Sequence, residues 1–209
     1  MKTKIVPRFL IAIILFFLFT SVLRAQVPAS YLCSLRNDSL TSSTTYEFDI
    51  FMLNTDPANV FEYDLFQAGI LLNPAIVNGG TITASIVSGS SQLVTAQQPG
   101  SITFTASQNC IKLGPGGITP HGSATIISTT SPGTRIARIR LTNTLPFGQS
   151  SPNFTFNFTA SPYNTVVTAY NQTTPFLGVN ITNAADHTTL PLINPILNSP
   201  VIAYNMTGG

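Results

Sequence analysis

The sequence predicts an all-β domain, a sandwich or barrel of short antiparallel strands, and three observations carry that reading. The periodic stretches beyond residue 25 have period two; Thr, Val, Ile, Phe and Tyr fill them; and clusters of Gly, Pro, Asn and Ser separate them. β-Branched and aromatic side chains suit a pleated, half-buried surface, and alternation gives each strand a buried and a solvated side. The 3.6-residue apolar spacing of a helix is absent after residue 25.

The chain opens on a segment foreign to that pattern. Lys2, Lys4 and Arg8 make a basic start, an unbroken apolar run follows from Phe9 to Phe19, and residues 20–25 close it like a processing site. Thr20, Ser21 and Arg24 cut the run short of the roughly 20 apolar residues that a spanning helix needs. Residues 1–25 are therefore read as a signal peptide. The product is expected to be secreted or displayed at the cell surface, with no membrane anchor in the mature chain. Residues 26–189 form the expected domain. Residues 190–209, with Pro191, Pro195 and Pro200, read as a linker or the start of a further domain.

Removing the leader reverses the charge. Four of the nine Lys and Arg leave with it, so Arg36, Lys112, Arg135, Arg138 and Arg140 face seven acids, a formal −2. A sparsely charged, weakly acidic chain has no electrostatic footprint for nucleic acid or anionic lipid.

Within the domain, Thr45–Asn54 is the clearest strand. Tyr46, Phe48, Ile50 and Met52 share one face, and Glu47, Asp49, Phe51 and Leu53 the other. Asp56-Pro57-Ala58-Asn59 follows as a turn. Val60–Asn73 is the next strand, and Gly69 inside it marks a bulge or a close approach of backbones. Thr81–Ser88, Ser101–Ser107, Ala124–Ser128, Thr134–Asn143, Asn153–Ala160, Thr165–Tyr170 and Phe176–Thr182 continue the series, punctuated by Asn78-Gly79-Gly80, Gln98-Pro99-Gly100, Gly114-Pro115-Gly116-Gly117 and Ser131-Pro132-Gly133.

Two cysteines remain, Cys33 in the first mature strand and Cys110 in a loop. In an exported chain they read either as one disulfide or as two buried free thiols. A bridge closing so long a loop contributes about 3–5 kcal/mol in the chain-entropy account.

Residues 66–77, in which Ala68-Gly69-Ile70-Leu71 runs into Leu72-Asn73-Pro74, resemble the cohesin strand that ends in an aromatic-Asp-Pro turn, departing from it at two of three turn positions. Arg135-Ile136-Ala137-Arg138-Ile139-Arg140-Leu141 is similar to a later cohesin strand. The resemblance, to cohesins and several cellulose-binding modules of secreted bacterial surface proteins, spans about residues 30–185. It implies a single jelly-roll β-sandwich of about nine antiparallel strands in two sheets. It also implies that Thr45–Asn54 and the Arg-rich strand are neighbours, so that outward Glu47 and Asp49 face Arg138 and Arg140 as cross-strand charge pairs.

Catalytic motifs are wanting. The carboxylate couples Glu47/Asp49 and Glu62/Asp64 have the alternation of a solvated strand face, and neither histidine, His121 or His187, sits in a metal or nucleophile motif. Asn54, Asp56 and Asn59 offer oxygens, but turn formation accounts for them without calcium. With no Trp present, Tyr163 and Tyr170, flanking a strand, are the candidates for exposed rings that contact a ligand. Sequons at Asn37, Asn153, Asn157, Asn171, Asn180 and Asn205 choose no compartment. The expected function is that of an exported, non-catalytic module that binds an extracellular glycan or a surface protein without metal or cofactor. The alternative is a structural spacer or adhesin segment of a larger surface protein.

Overall fold

The computed structural model describes residues 27–28 and 30–182 and the backbone of 188–190. The leader at 1–25, His187 and nearly all of the expected linker at 190–209 lie outside the described residues. Among the described residues eleven strands form: β1 (Tyr31–Ser42), β2 (Thr45–Asn54), β3 (Tyr63–Leu71), β4 (Ile82–Ile86), β5 (Ser101–Thr105), β6 (Cys110–Gly114), β7 (Thr134–Asn143), β8 (Thr155–Asn157), β9 (Val166–Tyr170), β10 (Gly178–Asn180) and β11 (Thr188–Leu190). They build a jelly-roll sandwich. One sheet has the order β11-β1-β2-β7-β4, and the other β10-β9-β3-β6-β5 with β8 also on β3. All pairings are antiparallel except β1 with β11, which is parallel.

Alternation places the core between the sheets. Tyr46, Phe48, Ile50 and Met52 of β2 point inward to meet Phe66, Ala68 and Ile70 of β3, Ile111 and Leu113 of β6, and Phe154 and Phe156. Phe48 and Phe154 pack with ring centroids 4.9 Å apart, and Tyr46 and Phe154 at 5.6 Å, a separation at which aromatic pairs add to their burial. In β7 the inward rhythm slips once. Ile50 pairs with Ala137 and Phe51 with Arg135, so Ile136 is an extra residue and both Ile136 and Ala137 face the core. That bulge carries Arg135 to the same outward side as Arg138.

One edge of β3 is shared. Tyr63, Leu65, Phe66 and Gln67 pair with β9, and Gly69, Ile70 and Leu71 pair with β8. The loop between β8 and β9 crosses over Gly69, where an added Cβ would collide with the Tyr163 carbonyl. Here the glycine is needed for close backbone approach. Buried Asn157 fastens that loop, with its amide donating to the carbonyls of Thr159, Ser161 and Tyr163 and its oxygen accepting from Thr159.

The structure differs from the sequence reading at β6 and at 124–128. Cys110 lies in a central strand rather than a loop, because the five residues Cys110–Gly114 are held on both edges, by β3 and by β5. The stretch 124–128 makes a single bridge, Glu62 with Ile126, and otherwise runs as a loop beside the start of β3.

Candidate functional site

Three loops meet where β3 begins. Buried Gln97 ties two of them, its amide donating to the Tyr63 carbonyl at 2.8 Å and its oxygen accepting from the Thr125 N–H at 2.9 Å. The Gly117 N–H donates to the Ala96 carbonyl, and the Val94 N–H to Thr125 Oγ1. The third loop folds on itself, with the Asn171 N–H donating to the Leu177 carbonyl and the Leu177 N–H to Asn171 Oδ1.

Glu62 fastens the loops to the sheet. Its side chain is 2 % exposed. Oε1 accepts from the Gly122 N–H at 2.5 Å, and Oε2 accepts from Gln172 Nε2 at 3.3 Å and lies 2.5 Å from His121 Nδ1. The His121 ring stacks on Phe176, with centroids 3.8 Å apart and planes 11° apart, and meets the edge of Tyr170 at 5.9 Å. The Tyr170 hydroxyl donates to the Thr119 carbonyl at 2.8 Å. Burial and the neighbouring carboxylates Asp64 and Glu62 push that phenol above its ordinary range. Both oxygens of Glu62 are spent as acceptors, an arrangement that anchors loops rather than moving protons to a substrate.

The rim of this site is apolar. Among the described residues, six of the seven large apolar side chains that stand exposed, Val60, Val94, Ile118, Ile126, Phe176 and Leu177, lie on these linked segments. Ile118 is 70 % exposed, Leu177 59 % and Ile126 56 %. Ile126 is the bridge partner of Glu62, so it stands on the same side of the sheet as the His121–Phe176 stack. Tyr170 is thus buried under the loops and is not the exposed ring expected of it. Tyr163 is half-buried, its ring 5.9 Å beneath Lys112 Nζ.

Glu47, Asp49 and four arginines occupy the outer face of the other sheet. Glu47 pairs in register with Arg140, and Asp49 with Arg138 on one side and Arg36 on the other. Arg138 Nε donates to Glu47 Oε2 at 2.7 Å and its Nη1 to Asp49 Oδ1 at 3.1 Å; Arg140 Nε donates to Glu47 Oε1 at 2.6 Å; Asn37 Nδ2 donates to Asp49 Oδ2 at 2.8 Å. This face is not the solvated one the alternation implied. Asp49 is 1 % exposed and Glu47 7 %, roofed by the arginines. Burial pushes the Glu47 carboxyl up, but hydrogen bonds from Arg138 and Arg140 outweigh it and hold it below its ordinary value.

The two cysteines are both free and buried, so the disulfide reading gives way to its alternative. Cys33 belongs to the core between the sheets. Cys110 alternates with the core residues Ile111 and Leu113 and so points to the far side of its sheet, toward the loop of Tyr163. Two thiols facing different layers do not bridge. Burial raises both thiols above their ordinary range, Cys33 far more than Cys110. In the turn at 56–59, Asp56 accepts from the Ala58 N–H and Asn59 Nδ2, and Asn54 accepts from the Asp56 N–H. Among the described residues no group of three or more His, Cys, Asp or Glu is placed to hold a metal.

Comparison with known proteins returns likeness of structure only. No protein-family model matches the chain, and no curated protein matches it by sequence. Among solved structures the chain is similar to cohesin modules. The second type II cohesin of the adaptor ScaA scaffoldin from Acetivibrio cellulolyticus shares 12 % identity over 86 % of this chain and 96 % of its own, with a TM-score of 0.45. The seventh ScaB type I cohesin from Pseudobacteroides cellulosolvens shares 8 % over 78 % and 88 %, with a TM-score of 0.49. Type II cohesin A11 from Bacteroides cellulosolvens shares 11 % over 80 % and 98 %, with a TM-score of 0.45. The sheet orders and registers above, rather than this likeness, define the fold.

The loop site was missed by sequence reasoning because its parts, around residues 60, 95, 120 and 175, are far apart along the chain. The available signal was Ile118, set between Gly116-Gly117 and Thr119-Pro120, where no strand alternation assigns it to a core; Phe176 and Leu177 were read into a strand that begins only at Gly178.

Proposed function

We propose that the chain is an exported, non-catalytic module that binds a protein partner through the loops at the β3 end of the sandwich. The observation that supports this is the concentration of six exposed large apolar side chains on segments fastened to one another. Apolar surface gathered at one place on a polar domain marks a contact site, whereas single exposed apolar residues need no explanation. Fully burying such a side chain contributes about 1.5–3 kcal/mol. Ile118 and Leu177, the most exposed of the six, therefore serve as anchors. Non-catalysis accords with the occupied oxygens of Glu62, Glu47 and Asp49, each already held by protein donors.

The test is retention of extracellular and cell-envelope proteins of the source organism on the immobilised chain. Wild type retains a partner that Ile118→Asp/Leu177→Asp loses, while thermal unfolding of the variant stays within a few degrees. Equal retention by both, or none by either, overturns the assignment.

A further inference from the structure

We infer that the outer face of the β1-β2-β7 sheet is a second binding surface, one that takes an anionic polysaccharide. Four of the five basic residues that follow the leader, Arg36, Arg135, Arg138 and Arg140, stand on it. They gather there for definable reasons. Arg138 and Arg140 are two apart on one strand, Arg36 shares the Asp49 row, and the bulge at Ile136 brings Arg135 to the same side.

Glu47 and Asp49 neutralise two of the four, leaving a formal +2 on one face of a domain that is otherwise acidic. The carboxylates lie beneath and the guanidiniums above. Arg138 has all three nitrogens engaged, with Nε on Glu47, Nη1 on Asp49 and Nη2 on Ser39 Oγ at 3.3 Å. The other three are not. Arg140 spends only Nε, on Glu47, and Arg36 only Nε, on Ser34 Oγ at 3.0 Å. Arg135 spends Nε on the Ser90 carbonyl and keeps Nη1 3.9 Å from Asp49. A guanidinium carries five N–H donors in a planar fork suited to carboxylate or sulfate oxygens. The Nη groups of Arg36 and Arg140 and Nη2 of Arg135 therefore remain to donate outward, while Ser34, Glu47 and the Ser90 carbonyl hold the Nε ends of Arg36, Arg140 and Arg135.

The rest of the face selects the class of ligand. Among the described residues none of the exposed large apolar side chains lies on it, so they offer no anchor for a folded protein or an acidic peptide. Nor do the described residues there expose an aromatic ring on which bases would stack, since Phe51 is buried. Small hydroxyls, Ser39 beside Glu47 and Ser85 beside Arg140, complete the rows. Strands about 4.8 Å apart place Arg36 and Arg138 roughly 10 Å from each other across the sheet, and Arg138 and Arg140 are roughly 7 Å apart along it. A flat, hydrophilic face with guanidinium groups at these intervals suits a chain of repeating negative charge, a uronate or a sulfated glycan.

The experiment measures binding of the purified protein to immobilised polygalacturonate and dextran sulfate, with neutral dextran, polyglutamate and duplex DNA as comparisons. The surface predicts retention on at least one of the two anionic polysaccharides at about 20 mM salt, and release by about 300 mM as the screening length shortens several-fold. Polygalacturonate alone identifies the carboxylate as the recognised group, and dextran sulfate alone the sulfate. Arg36→Gln/Arg140→Gln weakens retention about tenfold or more, since it removes the donors that face outward. It leaves Arg138 on both buried carboxylates, so the fold is retained with a fall in unfolding temperature limited to the lost Arg140–Glu47 bond, and Lys112→Gln on the other sheet leaves retention unchanged. No retention on either polysaccharide at low salt, or equal retention by the double variant, overturns the inference. Equal affinity for polyglutamate or DNA also overturns it, by showing charge attraction without glycan selection. The loop-end variant Ile118→Asp/Leu177→Asp binds polysaccharide normally, which separates this surface from the protein-binding site.

Discussion

Replacing Arg138 with Met tests the charge network at its centre. The substitution keeps most of the stem that packs over β2 while removing three donors, to Glu47, Asp49 and Ser39. Removing one partner of a buried ion pair costs about 3–5 kcal/mol, because the other charge is left buried. The lower end applies here, about 3 kcal/mol, since Glu47 keeps Arg140 and Asp49 keeps Asn37. With a urea slope of about 3 kcal/mol per molar, the unfolding midpoint at neutral pH falls by about 1 M. The loss depends on pH, and its sign follows from Glu47. A carboxyl held below its ordinary value of 4.5 contributes stability that is present above that value and is lost as pH falls through the lower folded value. The gap between wild type and Arg138→Met is therefore widest at neutral pH and narrows on the acid side of about 4.5. Urea unfolding followed by circular dichroism across that range is the assay. A neutral-pH loss under about 1 kcal/mol, or a gap of constant size down to about pH 3, refutes the argument that Arg138 stabilises ionised, buried carboxylates.

Three further outcomes follow from the packing. Gly69→Ala forces a Cβ into the Tyr163 carbonyl and costs about 1–3 kcal/mol or more, read as a fall in unfolding temperature, whereas Gly79→Ser, whose cost comes from its positive φ without any neighbouring atom, falls less. Both thiols stay unreactive toward a thiol reagent in the folded protein and titrate as two upon unfolding, and reductant leaves the unfolding temperature unchanged; a single bridged pair would show none. Glu62→Gln weakens the fastening of His121 and Gly122, so amide exchange in 118–123 and 171–178 speeds about tenfold, equivalent to about 1.4 kcal/mol, with β2 and β7 unaffected.

The strands that were legible in the sequence are those whose two faces differ chemically. Thr45–Asn54 and Thr134–Asn143 form with the bounds that alternation gives them, because one face is aliphatic or aromatic and the other charged. That they lie side by side was implied by the cohesin resemblance and not by their alternation; the register sets Glu47 against Arg140 and Asp49 against Arg138. Strand β6 was opaque for the opposite reason. Five residues with Cys110 and Lys112 outward and only Ile111 and Leu113 inward make too short a pattern to separate from the glycine-rich loop after it. Burial of Glu47 and Asp49 was opaque too, since alternation reports which face a residue occupies and not whether arginine stems cover that face. The loop site depends on contacts such as His121 with Glu62 and Phe176, spanning more than fifty residues, that no local pattern encodes.

The central claim is that this sandwich works by gripping a protein with its β3-end loops. Amide exchange of the chain with and without the partner it retains tests that claim most directly. Protection on binding confined to the segments around 94–97, 118–126 and 171–178 is the predicted result. Protection that instead falls on the outer faces of β1, β2 and β7 or of β3, β6 and β5, with those three loops unchanged, contradicts it.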